Sequence, residues 1–181
     1  MATTPPVSGS PRTARVLDPS FVEHLDESSL AEVRRRRDEA LAEREFQSYL
    51  RRLVQVRQDI LRSERERRAT GGVSAPLVER LTSVLSTGPT GTGRGEALRV
   101  TLTDQDIVEA ERRVDGFLED VDLFHPEGLD DVRLAEIMAQ LEHEERAISD
   151  ARAAVIKVHD RLQSELMRRY REDPSLITNE V

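Results

Sequence analysis

The forty residues from Ser29 to Arg68, SLAEVRRRRDEALAEREFQSYLRRLVQVRQDILRSERERR, contain no glycine and no proline. Nothing in them breaks a helix, and Ser29 with Glu32 stands in capping-box spacing at the start. The stretch predicts one helix of about eleven turns. A second stretch of the same kind, DDVRLAEIMAQLEHEERAISDARAAVIKVHDRLQSELMRRY, runs from Asp130 to Tyr170 and ends before Pro174. Between the two, Thr103 with Asp106 marks another helix start, continuing to about Phe117, and His125-Pro126-Glu127-Gly128 breaks the chain again.

The rest of the chain reads differently. Residues 1–15 are rich in Thr, Pro and Ser and predict a disordered tail. Val16 to Leu25 predicts a short helical segment after Pro19, so that residues 16–69 hold a short helix and the first long one. Residues 70–102 contain Gly71-Gly72, Pro76 and the run from Gly88 to Gly95, and predict a flexible linker, with a turn or two over Leu77–Leu85 and a short extended piece at Leu98–Leu102. Residues 103–181 complete the chain with a short helix and the second long helix. The expected fold is all-α: an antiparallel coiled-coil hairpin of two long helices with one or two short accessory helices.

Composition agrees with that expectation. Of 181 residues 37% are hydrophobic, 34% charged and 3% aromatic, with no Cys and no Trp. This suits long helices with narrow apolar seams better than a thick β core. Absent cysteine excludes a disulfide scaffold, a thiol nucleophile and a thiolate metal site. The formal net charge of -8 argues against general nucleic-acid binding. Of 27 basic residues only Lys157 is lysine, and arginine offers a planar fork suited to guanine edges and phosphates. The first fifteen residues have no apolar run of the signal-peptide kind and no stretch approaches a membrane span, so a cytoplasmic protein is expected.

Heptad spacing defines the seams. In the first helix Phe46, Tyr49, Leu53, Val56 and Ile60 alternate steps of three and four; in the second Ile137, Leu141, Glu144, Ile148, Ala151, Val155, Val158 and Leu162 do the same. Leu50, Val54 and Leu61 widen the first seam, either to meet the short helices or to dock another protein.

A polar pattern repeats beside them. Arg44, Ser48, Arg51, Gln55 and Asp59 in the first helix have the same spacing as Glu145, Ser149, Arg152, Ile156 and Asp160 in the second. Each set falls on one stripe of its helix, well over 90° from the expected apolar seam at about 100° per residue. The bland reading is a solvated face of an arginine-rich helix. Yet the chain's own Ser, Arg and Asp frequencies give roughly 0.1 chance matches to S-x2-R-x7-D, and here there is one in each long helix. Arginine donates to guanine O6 and N7, and a carboxylate accepts from guanine N1–H and N2–H. Two antiparallel stripes would present an approximately twofold site for a twofold ligand.

At these residues the sequence resembles the RsiG family of actinobacterial anti-sigma factors, which carries E-x3-S-x2-R-x3-Q-x3-D on helices of a coiled coil. Each copy here keeps four of five positions: Arg44 replaces the Glu of the first, and Ile156 the Gln of the second. The resemblance implies that Ser48, Arg51, Gln55, Asp59, Glu145, Ser149, Arg152 and Asp160 bind an intercalated pair of cyclic-di-GMP molecules. It further implies that the loaded protein sequesters a flagellar-type sigma factor, WhiG, from RNA polymerase and so controls sporulation genes, with no direct DNA binding.

The main alternative is a ligand-independent structural coiled-coil scaffold or adaptor. An enzyme is not expected. His24, His125, His143 and His159 lack metal-ligand spacing, position 140 is Gln140 where a helical carboxylate–histidine motif needs an acid, and residues 88–95 lack the Gly-Lys-Ser/Thr ending of a phosphate loop. A stripe on an open helix face has no pocket to exclude water, so neither a catalytic group nor a metal is expected there. The basic run Arg34 to Arg37 reads as a solvated face paired with nearby acids.

Overall fold

In a computed structural model, residues 9–71, 102–118 and 121–177 are described, and among them every regular element is helical. The predicted turns over Leu77–Leu85, most of the linker and the run 88–95 lie outside the described residues. The first element, α1 (Pro11–Leu17), falls largely where the sequence predicts a tail. Ser10 caps it by accepting from the Thr13 amide, and Pro11 occupies the first turn, where its missing N–H costs nothing. Asp18 then caps a 3-10 turn, Pro19–Val22.

The long helix α2 (Leu30–Thr70) starts at Ser29, whose hydroxyl accepts from the Glu32 amide at 3.1 Å. The Glu32 carboxylate is held by Arg35 and Arg36. Gly71, at φ 62, ends α2 in the left-handed conformation that glycine adopts without penalty. Helix α3 (Asp104–Phe117) carries the full capping box of Thr103 and Asp106, and α4 (Asp131–Glu172) is capped by Asp130. Its extent and that of α2 match the sequence reading to within two residues at each end.

The long helices lie side by side and run antiparallel. Cross-helix hydrogen bonds join Arg34 to Tyr170, Arg51 to Glu145 and Arg68 to Asp131, so partner numbers fall on α4 as they rise on α2. Two apolar clusters fill the bundle. One joins α1, Phe21, Leu25, Val33 and Ala40 to Val155, Leu162 and Leu166; the other joins Phe46, Leu50, Val54 and Leu61 to α3 and to Ile137, Leu141 and Ile148. Each large apolar side chain so buried contributes about 1.5–3 kcal/mol.

The seam expected on α4 is the one observed, with Ile137, Leu141, Glu144, Ile148, Val155 and Leu162 buried. On α2 the expected seam is turned. Leu50, Val54 and Leu61 are fully buried toward α4, whereas Tyr49, Leu53, Val56 and Ile60 are only half-buried, on the side of α3. The reason is chemical. The inner stripe of α2 also contains Glu43, Gln47, Gln58 and Glu64, all buried, so its apolar period is interrupted and the outer stripe looks cleaner.

The buried polar groups are satisfied from other elements. Glu43 accepts from Thr13 and Gln47 on one oxygen and from Arg12 on the other, which fastens α1 to α2. Arg12 continues to Asp106 of α3 at 2.9 Å and lies over the Phe46 ring. Glu64 holds Arg67 and Arg68, and Arg68 reaches Asp131 and the carbonyls of Pro126 and Leu129, closing one end of the pair. At the other end Arg34 bonds Tyr170 and the Leu176 carbonyl. Of the run Arg34 to Arg37 only Arg35 is a solvated residue paired with an acid, Glu32; Arg36 adds the Phe21 carbonyl to its pair with Glu32, Arg37 pairs with Asp38, and Arg34 is drawn into the contact with α4, so the run is not a solvated face throughout.

Candidate functional site

The two polar copies are related by a constant offset of 101 residues, from Arg44 and Glu145 to Asp59 and Asp160. In an antiparallel pair, two copies with identical spacing that share a face are exchanged by a local twofold axis. The bonds across the helices show that they meet there. Arg51 Nε donates to Glu145 Oε1 at 2.7 Å, and Arg152 Nε donates to Ser48 Oγ at 2.8 Å. Gln55 reaches Glu145 at 3.4 Å and the Ser149 hydroxyl reaches it at 3.2 Å.

This differs from an outward-facing stripe. Apart from the exposed Asp160, the polar residues flank the α2–α4 seam and are half-buried, because the true seam of α2 lies on the Leu50–Val54 side and so closer to them. Ser48, Arg51, Gln55, Glu145, Ser149 and Arg152 form one connected group at its centre. Asp59 and Asp160 do not join it. The observed pairings put Asp160 level with residue 40 of α2, so the two aspartates lie about 28 Å apart along the axis. Asp59 is engaged by Arg62 at 2.6 Å, and Asp160 is exposed beside His159. Each arginine is about 12 Å along the helix from the aspartate of its own copy, while Arg51 and Arg152 are within about 5 Å of each other axially.

The electrostatics follow from these contacts. The Arg51 guanidinium holds the Glu145 carboxyl below its ordinary range, against the opposing effect of burial. Arg44 turns to its neighbour Glu45 at 2.8 Å. Neither stripe contains an aromatic residue. Among the described residues no group of three His, Asp or Glu side chains is placed to hold a metal ion.

Sequence reasoning missed two features. The Arg12–Glu43 network was signalled by a Ser10-Pro11 helix start and by Glu43 and Gln47 one turn apart on the inner stripe of α2. An open groove of about 950 Å³ lies on the other side of α2, lined by Val56, Ile60, Leu123 and the exposed Phe124. It uses part of the outer apolar stripe that the heptad count assigned to the hairpin.

The family model described as RsiG-like matches residues 19–85, which include α2 and the first polar copy. Among curated proteins none matches the chain. No described helix is long and apolar enough to cross a membrane.

Proposed function

From the premise that this chain carries an RsiG-like domain over residues 19–85, we propose that it is an anti-sigma factor controlled by cyclic-di-GMP. In this reading α2 and α4 act as a coiled-coil hairpin. An intercalated pair of cyclic-di-GMP molecules lies across their shared polar face. The loaded protein sequesters a flagellar-type sigma factor of the WhiG kind from RNA polymerase, and loss of the nucleotide releases it for transcription of sporulation genes.

The observation that carries the reading is the meeting of Ser48, Arg51, Glu145, Ser149 and Arg152 on one face, from two copies 101 residues apart. Arginine forks and carboxylates suit guanine edges, and a pseudo-twofold face suits a ligand pair that is itself twofold. Gln55 adds a hydrogen-bonding group beside Arg51. Asp59 and Asp160 extend the face at its two ends, each about 12 Å along its helix from Arg51 or Arg152. The chain's role is binding and not catalysis. The nucleotide acts by linkage: a ligand that contacts both proteins raises the affinity of each for the other reciprocally.

Calorimetry tests the nucleotide arm. Arg51→Ala and Arg152→Ala each remove a charge-assisted contact, worth about 1.5–3 kcal/mol, and should weaken cyclic-di-GMP binding by roughly tenfold to a hundredfold. Unchanged affinity in both variants would sink the assignment. Gel filtration with the sigma factor tests the second arm. Co-elution is expected with cyclic-di-GMP and not without it. Association indifferent to the nucleotide would favour a ligand-independent scaffold or adaptor.

A further inference from the structure

We infer that the polar face is built as two unequal halves, and that Arg44 makes the half around Ser48 and Arg152 the one that captures a phosphate first. The inference rests on reading the face as a cyclic-dinucleotide site and adds a specificity-determining residue to it.

The local twofold exchanges position 44 with 145, 48 with 149 and 51 with 152. The bond from Arg51 to Glu145 has as its twofold mate an approach of Arg152 to Arg44. Two guanidinium groups cannot pair, and the symmetry breaks there. Arg152 turns to the Ser48 hydroxyl, and Arg44 turns along its own helix to Glu45. Among the described residues Arg152 has no ion pair, whereas Arg51 is neutralised by a carboxylate at 2.7 Å that Gln55 and Ser149 also engage.

The two halves therefore present different tasks to an incoming anion. At Arg51 a phosphate oxygen competes with Glu145, an established charge-assisted acceptor. At Arg152 it displaces only a neutral hydroxyl. Arg44 lies about one turn from Ser48 on the same stripe, and its pair with Glu45 is a half-exposed contact between adjacent residues, of the kind that contributes little. Arg44 is thus available to join Arg152 on one phosphate. The motif charges agree. The first half has Arg44 and Arg152 against Asp160, and the second has Arg51 against Glu145 and Asp59. Ile156, about level with Arg44 across the pair, contributes an apolar wall and no competing polar group.

The test uses the full chain and side-chain NMR of its arginine Nε–H groups, titrated first with pyrophosphate. Arg44 and Arg152 are expected to respond at lower concentration than Arg51. Arg44→Ala should weaken the Arg152 response by about tenfold, the loss of one charge-assisted contact, and Arg44→Glu should weaken it further by giving Arg152 an internal partner. Equal responses at Arg51 and Arg152, no response at either, or no effect of Arg44→Ala would overturn the inference. The same variants are then titrated with cyclic-di-GMP, and affinity should fall in the order wild type, Arg44→Ala, Arg44→Glu. If the wild type ignores cyclic-di-GMP while pyrophosphate still selects Arg152, the nucleotide reading fails and the unequal halves stand. If cyclic-di-GMP binds all three proteins equally, the nucleotide reading survives and the role of Arg44 is overturned.

Discussion

Glu43 is the residue on which the N-terminal segment depends, and replacing it by alanine tests how the bundle is held. Its carboxylate is fully buried and accepts three hydrogen bonds, from Thr13 Oγ1 at 2.6 Å, Gln47 Nε2 at 2.7 Å and Arg12 Nε at 2.6 Å. Removing one partner of a fully buried ion pair costs about 3–5 kcal/mol, because the other charge is left behind. Here the cost is smaller on the Arg12 side. Arg12 is 27% exposed and keeps Asp106, so its charge remains partly solvated and partly paired. Thr13 and Gln47, buried beside it, lose their shared acceptor, at about 1 kcal/mol or more for each. The sum is about 3 kcal/mol for Glu43→Ala, which for a chain of this size lowers the melting temperature by roughly 6–12 °C. Urea unfolding gives the free energy, and limited proteolysis between residues 9 and 30 reports release of α1. Glu43→Gln, which keeps an acceptor for Thr13 but loses the charge, should fall between the two. A loss for Glu43→Ala below about 1 kcal/mol, with α1 still protected, would refute the argument that this network anchors the segment.

Two further outcomes can be stated. Leu50→Ala should cost about 2–4 kcal/mol in urea unfolding and Val56→Ala less than about 1, since Leu50 is fully buried between the long helices and Val56 lines an open groove; equal losses would mean that the seam of α2 is the one the heptad count suggests. Stability should fall in acid. The carboxyls of Glu64 and Glu165 are each lowered to about 2, by hydrogen bonds from Arg67 and Arg68 and from Arg168 and Arg169 respectively. A depressed folded pKa contributes stability that is complete above the unfolded value near 4.5 and is lost as pH falls toward 2, so the urea midpoint should be level down to about pH 5 and decline below it. A midpoint that stays constant to pH 2.5 would exclude these pairs as contributors.

Much of the architecture was legible because it depends on local chemistry. The forty residues without a breaker, the caps at Ser29 and Thr103, and the stop before Pro174 specify helix ends through backbone groups that only nearby side chains can satisfy. Helix α1 was missed on composition. Its proline and serine residues resemble those of a disordered segment, yet Ser10 and Pro11 stand where a helix start wants them, and what keeps the helix folded is distant in sequence: Glu43, Asp106 and Phe46. No local pattern reports a contact over thirty or ninety residues. The seam of α2 was misjudged for a related reason. Periodicity favours the stripe with the fewest polar residues, and the buried stripe includes Glu43 and Glu64 because Arg12, Arg67 and Arg68 compensate them.

The polar face was legible for a different reason, and that reason limits what it can tolerate. Its residue types and spacing were plain in the sequence, but its position followed from register. The meeting of Arg51 with Glu145 requires that α2 and α4 pair with partner numbers near a fixed sum, the same register in which the buried Leu50, Val54 and Leu61 pack with Ile137, Leu141 and Ile148 and in which Arg34 meets Tyr170 and Arg68 meets Asp131. A one-residue insertion between Gln55 and Asp59 would leave the central bonds in place but rotate the flank that follows by about 100°. Either the buried Leu61 or the clamp at Asp131 would then be lost, and Asp59 would leave the stripe. The apolar seam and the polar stripe are thus two readings of one register.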